Sequence, residues 1–129
     1  MPHLTADDLR QAFAAATQAL EVRREAINAL NVFPVPDGDT GTNMLLTMRS
    51  AMEKCPPTAD STLSDVARGL ADGAFWGARG NSGVILSQFL KGFAQAFEEL
   101  EICETSDLAR AFSLASDAAY LAVGQPVEG

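Results

Sequence analysis

A proline- and glycine-rich stretch, NVFPVPDGDTGTN at residues 31–43, divides a sequence that otherwise favours helix throughout. Pro34 and Pro36 stand at alternate positions and force an extended path, because each fixes its φ angle and lacks a backbone N–H donor. Gly38 and Gly41 then permit a tight turn. No helix can run through this stretch, so the chain must fold as helices joined by a loop of unusual composition.

Apolar residues recur at helical spacing on both sides of that loop, which predicts an all-α fold of five helices. The one strand candidate, residues 32–35, is demoted by its prolines. The five helices are expected from Thr5 to about Leu30, from Thr42 or Asn43 to about Lys54, from about Ser61 to Trp76, from residues 80–83 to about Leu100, and from about Thr105 to just before Gly124.

Two of these helices carry capping signals at their starts. Thr5 with Asp8 predicts a capping box, and Ser61 or Thr62 is expected to cap the third helix with Asp65 in its first turn. Large apolar side chains at helical spacing predict the core. Phe112 is expected to face inward, and so are Phe75 and Trp76, for which the wall of an adenine pocket is the alternative.

Composition bounds the class of protein. A chain of 129 residues suits one domain. Its formal charge of −8 argues against a general nucleic-acid surface, which needs clustered Lys and Arg. No apolar run reaches the roughly 18 residues that cross a bilayer, and the N-terminus lacks a signal-peptide pattern, so we expect a cytoplasmic protein. Cys55 and Cys103 are expected to be free thiols, because the chain offers no zinc-type spacing.

The first loop carries two carboxylates that can converge on a hard cation. Asp37 and Asp39 are separated by Gly38, which lets both side chains point the same way. Magnesium prefers such oxygen ligands, and Asn31 could add a carbonyl oxygen from upstream. An EF-hand is excluded, because the Gly and Glu that it needs at fixed positions downstream are absent. The structural alternative is an Asx-type turn that leads into a helix N-cap.

The residues after these carboxylates suit an anion. Thr40, Thr42 and Asn43 supply three hydrogen-bonding side chains around Gly41, at a predicted helix start. Free amides and the helix dipole favour negative charge there. A metal-bound polyphosphate fits this combination.

The second loop, residues 77–83, repeats the pattern at the predicted start of the fourth helix. Within its GNSG segment, Gly80 and Gly83 would let a phosphate approach the backbone, Asn81 and Ser82 would donate hydrogen bonds, and the preceding arginine would add positive charge. The alternative is a helix–helix turn with a serine cap. Neither a Walker A loop nor a dinucleotide fingerprint is present. Two such helix starts in one small domain suggest a ligand shared between them.

Residues 28–44, NALNVFPVPDGDTGTNM, and residues 77–88, GARGNSGVILSQ, resemble the two nucleotide-binding loops of the dihydroxyacetone-kinase L-subunit-like family. The version here is most similar to the N-terminal domain of bacterial fatty acid kinase. The resemblance spans nearly the whole chain. It implies an antiparallel barrel of about eight helices, of which about five would be present here. On that pattern the chain is one kinase domain over residues 1–129, incomplete at its C-terminus.

The resemblance also implies ATP and a pair of magnesium ions as cofactors. Asp37 and Asp39 would be metal ligands and catalytic residues, with Asn31 as a further metal ligand. The cofactor would contact both loops, through Thr40, Gly41, Thr42, Asn43, Gly80, Asn81, Ser82 and Gly83.

Three classes of function follow from the resemblance and the residues. The first is a phosphotransferase that phosphorylates a fatty acid carboxylate presented by a separate lipid-binding protein. The second is a dihydroxyacetone-type kinase subunit. Two features argue against it: the prolines before the loop, and Thr40 at the position where that branch has a histidine. The third is a non-catalytic module that binds nucleotide or partner helices. An incomplete barrel would expose apolar helix faces, so we also expect self-association.

Overall fold

A computed structural model describes residues 3–30, 38–57, 60–98 and 100–124. Within these ranges the chain is all-α, as predicted, with one isolated β-bridge between Leu4 and Cys103. The five helices are α1 (Ala6–Ala29), α2 (Thr40–Lys54), α3 (Leu63–Gly77), α4 (Gly80–Gln95) and α5 (Thr105–Gly124).

The starts of α1 and α3 are closed by the predicted capping boxes. The Thr5 hydroxyl accepts from the amide of Asp8 at 3.0 Å, and the Asp8 carboxylate accepts from the Thr5 amide at 3.1 Å. Thr62, rather than Ser61, caps α3 through the same exchange with Asp65, at 3.0 and 3.1 Å. These boxes satisfy amides that a helix start leaves without intrahelical partners.

The predicted end of α4 at Leu100 is wrong, because the helix ends at Gln95. The amides of Ala96 and Phe97 bond to carbonyls three residues back, at 3.2 and 3.0 Å, which tightens the chain into a turn. Both side chains are buried. The turn therefore keeps two apolar residues in the core while the backbone leaves the helix axis.

Neighbouring helices pack in sequence order, and α2 also packs against α4. Glycines on α3 mark its closest approach to α2. A Cβ added at Gly69 would lie 2.6 Å from the Lys54 carbonyl oxygen, and one at Gly73 would lie 2.5 Å from that of Ser50. Residue numbers rise along α3 as they fall along α2, so these two helices are antiparallel.

The core centres on Phe93 of α4, which is 2% exposed. Its ring meets Phe13 of α1 edge-on at 5.4 Å and Phe112 of α5 at 5.3 Å, and it lies 5.0 Å from Phe97. Such pairs add about 0.5–1.5 kcal/mol each to the burial of apolar area. Phe93 thus joins three helices.

The core assignment of Phe75 and Trp76 is wrong. Their side chains are 56% and 79% exposed and contact each other edge-on, with centroids 5.0 Å apart. Gly73 and Gly77 face α2 and Ala74 is fully buried, so the next positions around the helix turn outward. The fixed orientation of α3 against α2 is the physical reason.

Phe112 also departs from the sequence-based expectation. One side of its ring packs against Phe89 and Phe93, yet 51% of the residue remains exposed. The two cysteines are free thiols, as predicted, and both are buried. No helix in the described part of the chain is long and apolar enough to span a membrane.

Candidate functional site

The N-termini of α2 and α4 lie side by side, although the loops that precede them are far apart in sequence. The Ser82 hydroxyl donates to the carbonyl oxygen of Thr40 at 3.4 Å. Gly80 has a φ of +66°, in the left-handed region that favours glycine. A Cβ at Gly80 would also overlap the side-chain amide of Asn43. The fold therefore brings residues of both predicted loops together.

The start of α2 is held against the end of α1 by Asn28. The Asn28 side chain accepts a hydrogen bond from the amide of Thr42 and donates one to the Thr42 hydroxyl, both at 3.1 Å. Gly41 packs directly on α1, where a Cβ would lie 2.6 Å from the Arg24 carbonyl oxygen. These contacts fix the first turn as helix. They explain why α2 begins at Thr40, two or three residues before the predicted start at Thr42 or Asn43.

The two helix starts at this junction lack the side-chain caps that close the starts of α1 and α3. The N-cap residues of α2 and α4 are Asp39 and Arg79, and neither provides a side-chain cap. By contrast, both α1 and α3 are closed by capping boxes. Asn28 satisfies one amide of α2. Other first-turn amides and the positive ends of both helix dipoles lie at the junction. Both features favour an anion there.

Polar side chains surround these helix starts. Asp39, Arg79 and Asn81 are exposed, and Ser82 and Asn43 are half-buried. The Asp39 carbonyl accepts from the Asn43 amide at 2.9 Å, so its backbone begins the helix while its carboxylate is not used as a cap. Asparagine, serine and arginine can donate to phosphate oxygens, and aspartate can ligate a cation.

Nine of the predicted site residues lie at this junction. The glycines among them have packing roles: Gly41 is buried against α1 and Gly83 is buried against α2. Asn31 and Asp37, two of the three predicted metal ligands, lie outside the described residues. Among the residues that are described, no group of three His, Cys, Asp or Glu side chains is close enough together to hold a metal.

Sequence reasoning assigned no role to two residues that organise the junction, Asn28 and Thr47. Asn28 stands at the edge of the first motif, and Thr47 lies one helical turn after Asn43, on the same face of α2. That spacing was a usable signal for Thr47. The contact of Asn28 with Thr42 depends on how α1 packs on α2, which no local pattern reports.

The fold and this junction define an all-α domain in which two helix N-termini adjoin. The chain belongs to the DAK2 domain family, whose model matches residues 34–129. It is thus a dihydroxyacetone-kinase-like domain of a kinase-associated family.

The chain is also similar to curated bacterial proteins. Protein YloV of Bacillus subtilis is 45% identical over 115 residues, which cover 89% of this chain and 21% of that protein. An uncharacterized protein of Staphylococcus saprophyticus is 43% identical over 112 residues, covering 87% of this chain and 20% of the relative. The chain therefore spans about a fifth of the length of the curated relatives it matches.

Proposed function

We propose that this chain is an ATP- and magnesium-dependent phosphotransferase domain that binds the polyphosphate between the starts of α2 and α4. One observation carries the proposal: two helix N-termini without side-chain caps adjoin, and the Ser82–Thr40 hydrogen bond links them. A polyphosphate spans several ångströms and carries negative charge along its length. Two neighbouring helix dipoles suit it better than one.

The described residues fit a magnesium ion at the edge of this junction. Asp39 is exposed at the N-cap position of α2, where its carboxylate could offer magnesium an oxygen ligand of the type that this ion prefers. Asp37 and Asn31 are the further ligands that the family resemblance suggests. Magnesium, when bound, would neutralise charge on the phosphate oxygens.

The protein residues would act by binding and orienting. Amides of the first turns of α2 and α4, including that of Ser82, would donate to phosphate oxygens, and Asn43 and Asn81 would add side-chain donors. Arg79 is exposed beside them and would supply positive charge. Phosphoryl transfer asks little covalent chemistry of a protein, so positioning and charge stabilisation would provide most of the rate enhancement.

For the acceptor we propose a fatty acid carboxylate presented by a separate lipid-binding protein. The support is the resemblance of the two loops to the fatty acid kinase branch. A carboxylate is already ionised at neutral pH and needs no general base. This suits a chain whose single histidine, His3, precedes α1, at the opposite end of that helix from Asn28.

The match to the DAK2 domain family keeps a dihydroxyacetone-type kinase as the second candidate. The two candidates share the nucleotide site and differ in the acceptor. Transfer of the γ-phosphoryl group from labelled ATP separates them, with a fatty acid on its carrier protein in one assay and dihydroxyacetone in the other. Phosphorylation of the sugar alone would overturn the carboxylate acceptor.

Calorimetric titration of ATP, with magnesium and with EDTA, tests the nucleotide site itself. We expect magnesium-dependent binding that Asp39→Asn weakens at least about tenfold, equivalent to about 1.4 kcal/mol. Asp60→Asn is the matched control, because it removes an exposed carboxylate that precedes α3 rather than α2 or α4. Equal affinity in Asp39→Asn and the wild type would overturn the metal role of Asp39. A folded wild-type chain that binds no ATP would overturn the proposed nucleotide site and would favour a non-catalytic interaction module.

A further inference from the structure

Thr47 is a buried polar residue in the middle of α2. Among the described residues, it and Ser87 are the two buried polar side chains, and Thr47 has no exposed surface. A buried hydroxyl is costly unless its hydrogen bonds are made. Its partners therefore show what the residue does.

The Thr47 hydroxyl makes two hydrogen bonds, one within its own helix and one across the bundle. It donates to the carbonyl oxygen of Asn43 at 2.8 Å. It accepts from the backbone amide of Arg79, 32 positions away in the sequence, at 3.1 Å. The first bond is common for threonine in a helix, whereas the second joins the residue to the start of another helix.

The two partners belong to the two helix starts. Asn43 lies in the first turn of α2, and Arg79 is the N-cap residue of α4. Gly83, in the first turn of α4, sits so close that a Cβ there would overlap the Thr47 hydroxyl. One oxygen atom thus lies in a close contact between α4 and α2, and it is bonded to both helix starts.

We propose that Thr47 is a positioning residue: without touching the ligand, its hydroxyl sets the spacing of the two helix N-termini so that both bind one polyphosphate. The inference rests on the proposed function and adds a residue and a cause to it. A bridge of this kind needs the hydroxyl, not the methyl group. Thr47→Ser keeps the bridge, whereas Thr47→Val keeps the shape and removes it.

Binding of magnesium-ATP to the whole chain, measured by calorimetry well below the melting temperature, tests this role. We expect Thr47→Val to weaken binding about tenfold or more, and Thr47→Ser to stay within about threefold of the wild type. A folded Thr47→Val variant with wild-type affinity would overturn the proposal. So would a Thr47→Ser variant that binds as weakly as Thr47→Val.

A matched core variant distinguishes positioning by Thr47 from a purely structural role. Val66 on α3 is fully buried and lies toward the other end of the antiparallel α2–α3 pair. Val66→Ala should lower the melting temperature without changing the affinity of the folded protein. An equal loss of affinity in Val66→Ala and Thr47→Val would show that general destabilisation, and not positioning, explains the effect.

Amide hydrogen exchange gives a readout that does not need the ligand. Exchange at Arg79 and in the first turn of α4 should be faster in Thr47→Val but not in Thr47→Ser, relative to the slowest amides of each variant. If the wild type bound no nucleotide, the proposed function would fail. The exchange rates would still decide whether Thr47 couples the two helix starts, and unchanged rates would overturn that coupling.

Discussion

Asn28 acts as a cap for a helix that it does not belong to. Its side chain bonds to both the amide and the hydroxyl of Thr42 in the first turn of α2. Asn28→Ala removes both bonds, so we expect the free energy of unfolding to fall by about 1 kcal/mol, as for a lost N-cap. Asn28→Asp keeps an acceptor for the amide and loses the donor, so its loss should be smaller. Urea denaturation of the three proteins measures this order.

The same Asn28 variants also test the proposed phosphate site. The start of α2 is part of the proposed phosphate contact, so the alanine variant should also bind magnesium-ATP more weakly. An unchanged unfolding midpoint in Asn28→Ala would mean that these hydrogen bonds add no stability. An unchanged affinity would mean that the α2 start keeps its place without Asn28.

The two cysteine thiols should be unreactive in the folded chain. Burial raises the pKa of Cys55, and the nearby Arg10 guanidinium only partly offsets this; burial and the Asp107 carboxylate raise the pKa of Cys103. Because the thiolate is the reactive form, both thiols should react slowly with a disulfide reagent at neutral pH and fast in urea. Fast reaction of either thiol without denaturant would contradict its burial.

The raised thiol pKa values also predict a direction for stability against pH. A folded-state pKa above the unfolded value favours the protonated thiol in the native chain. The stability is therefore fully present below the pKa of the unfolded thiols and is lost as the pH rises through the higher folded-state values. A Cys55→Ala, Cys103→Ala double variant should lose less stability over that alkaline range, because other groups that titrate there are common to both proteins.

The glycines of α3 determine how the elements pack. At Gly73, a Cβ would lie 2.5 Å from the Ser50 carbonyl oxygen and 2.8 Å from the Ala51 Cα atom. Gly→Ala inside a helix normally stabilises by about 0.5–1 kcal/mol. Here the clash is with backbone, which must move, so we expect Gly73→Ala to destabilise by about 1–3 kcal/mol. Thermal or urea denaturation shows whether the substitution raises or lowers the free energy of unfolding.

Asp72→Ala is the matched control for that substitution. Asp72 precedes Gly73 on the exposed side of α3, so alanine there changes helix propensity without entering the α2–α3 contact. Its effect should be within about 0.5 kcal/mol. A Gly73→Ala variant as stable as the wild type would show that α2 and α3 can separate at little cost.

The helices and their caps were predictable because their causes are local. The capping boxes at Thr5 and Thr62 each depend on four consecutive residues, and apolar spacing located every helix. The outward turn of Trp76 was not predictable, since it follows from which glycines of α3 face α2. The two loops of the candidate site could be found from composition. The Thr47 and Asn28 contacts that hold them together are tertiary, so only the fold displays them.

At the scale of the whole molecule, exposed apolar side chains favour association between copies of the chain, whereas a high net charge opposes it. On the described surface, large apolar residues stand out on several helices: Val22, Leu30, Trp76, Tyr120 and Leu121 are each 69% to 79% exposed. Apolar surface of this kind favours association. The formal charge of −8 opposes it by repulsion between copies. Salt screens that repulsion, with a Debye length of about 10 Å at 0.1 M and about 3 Å at 1 M.

We therefore predict self-association that rises with protein concentration and with salt. Light scattering over both variables measures it, and Leu121→Glu and Trp76→Glu, on α5 and α3, test which face is used. The chain has a single tryptophan, so Trp76 emission reports one place on the surface. If α3 forms the contact, emission should shift to shorter wavelength and resist quenching by acrylamide as the mass rises. If α5 forms it, the mass should rise while Trp76 stays open to the quencher, and only Leu121→Glu should prevent association. A monomeric mass at high protein concentration and high salt would contradict the prediction, because screened repulsion would no longer explain the absence of association.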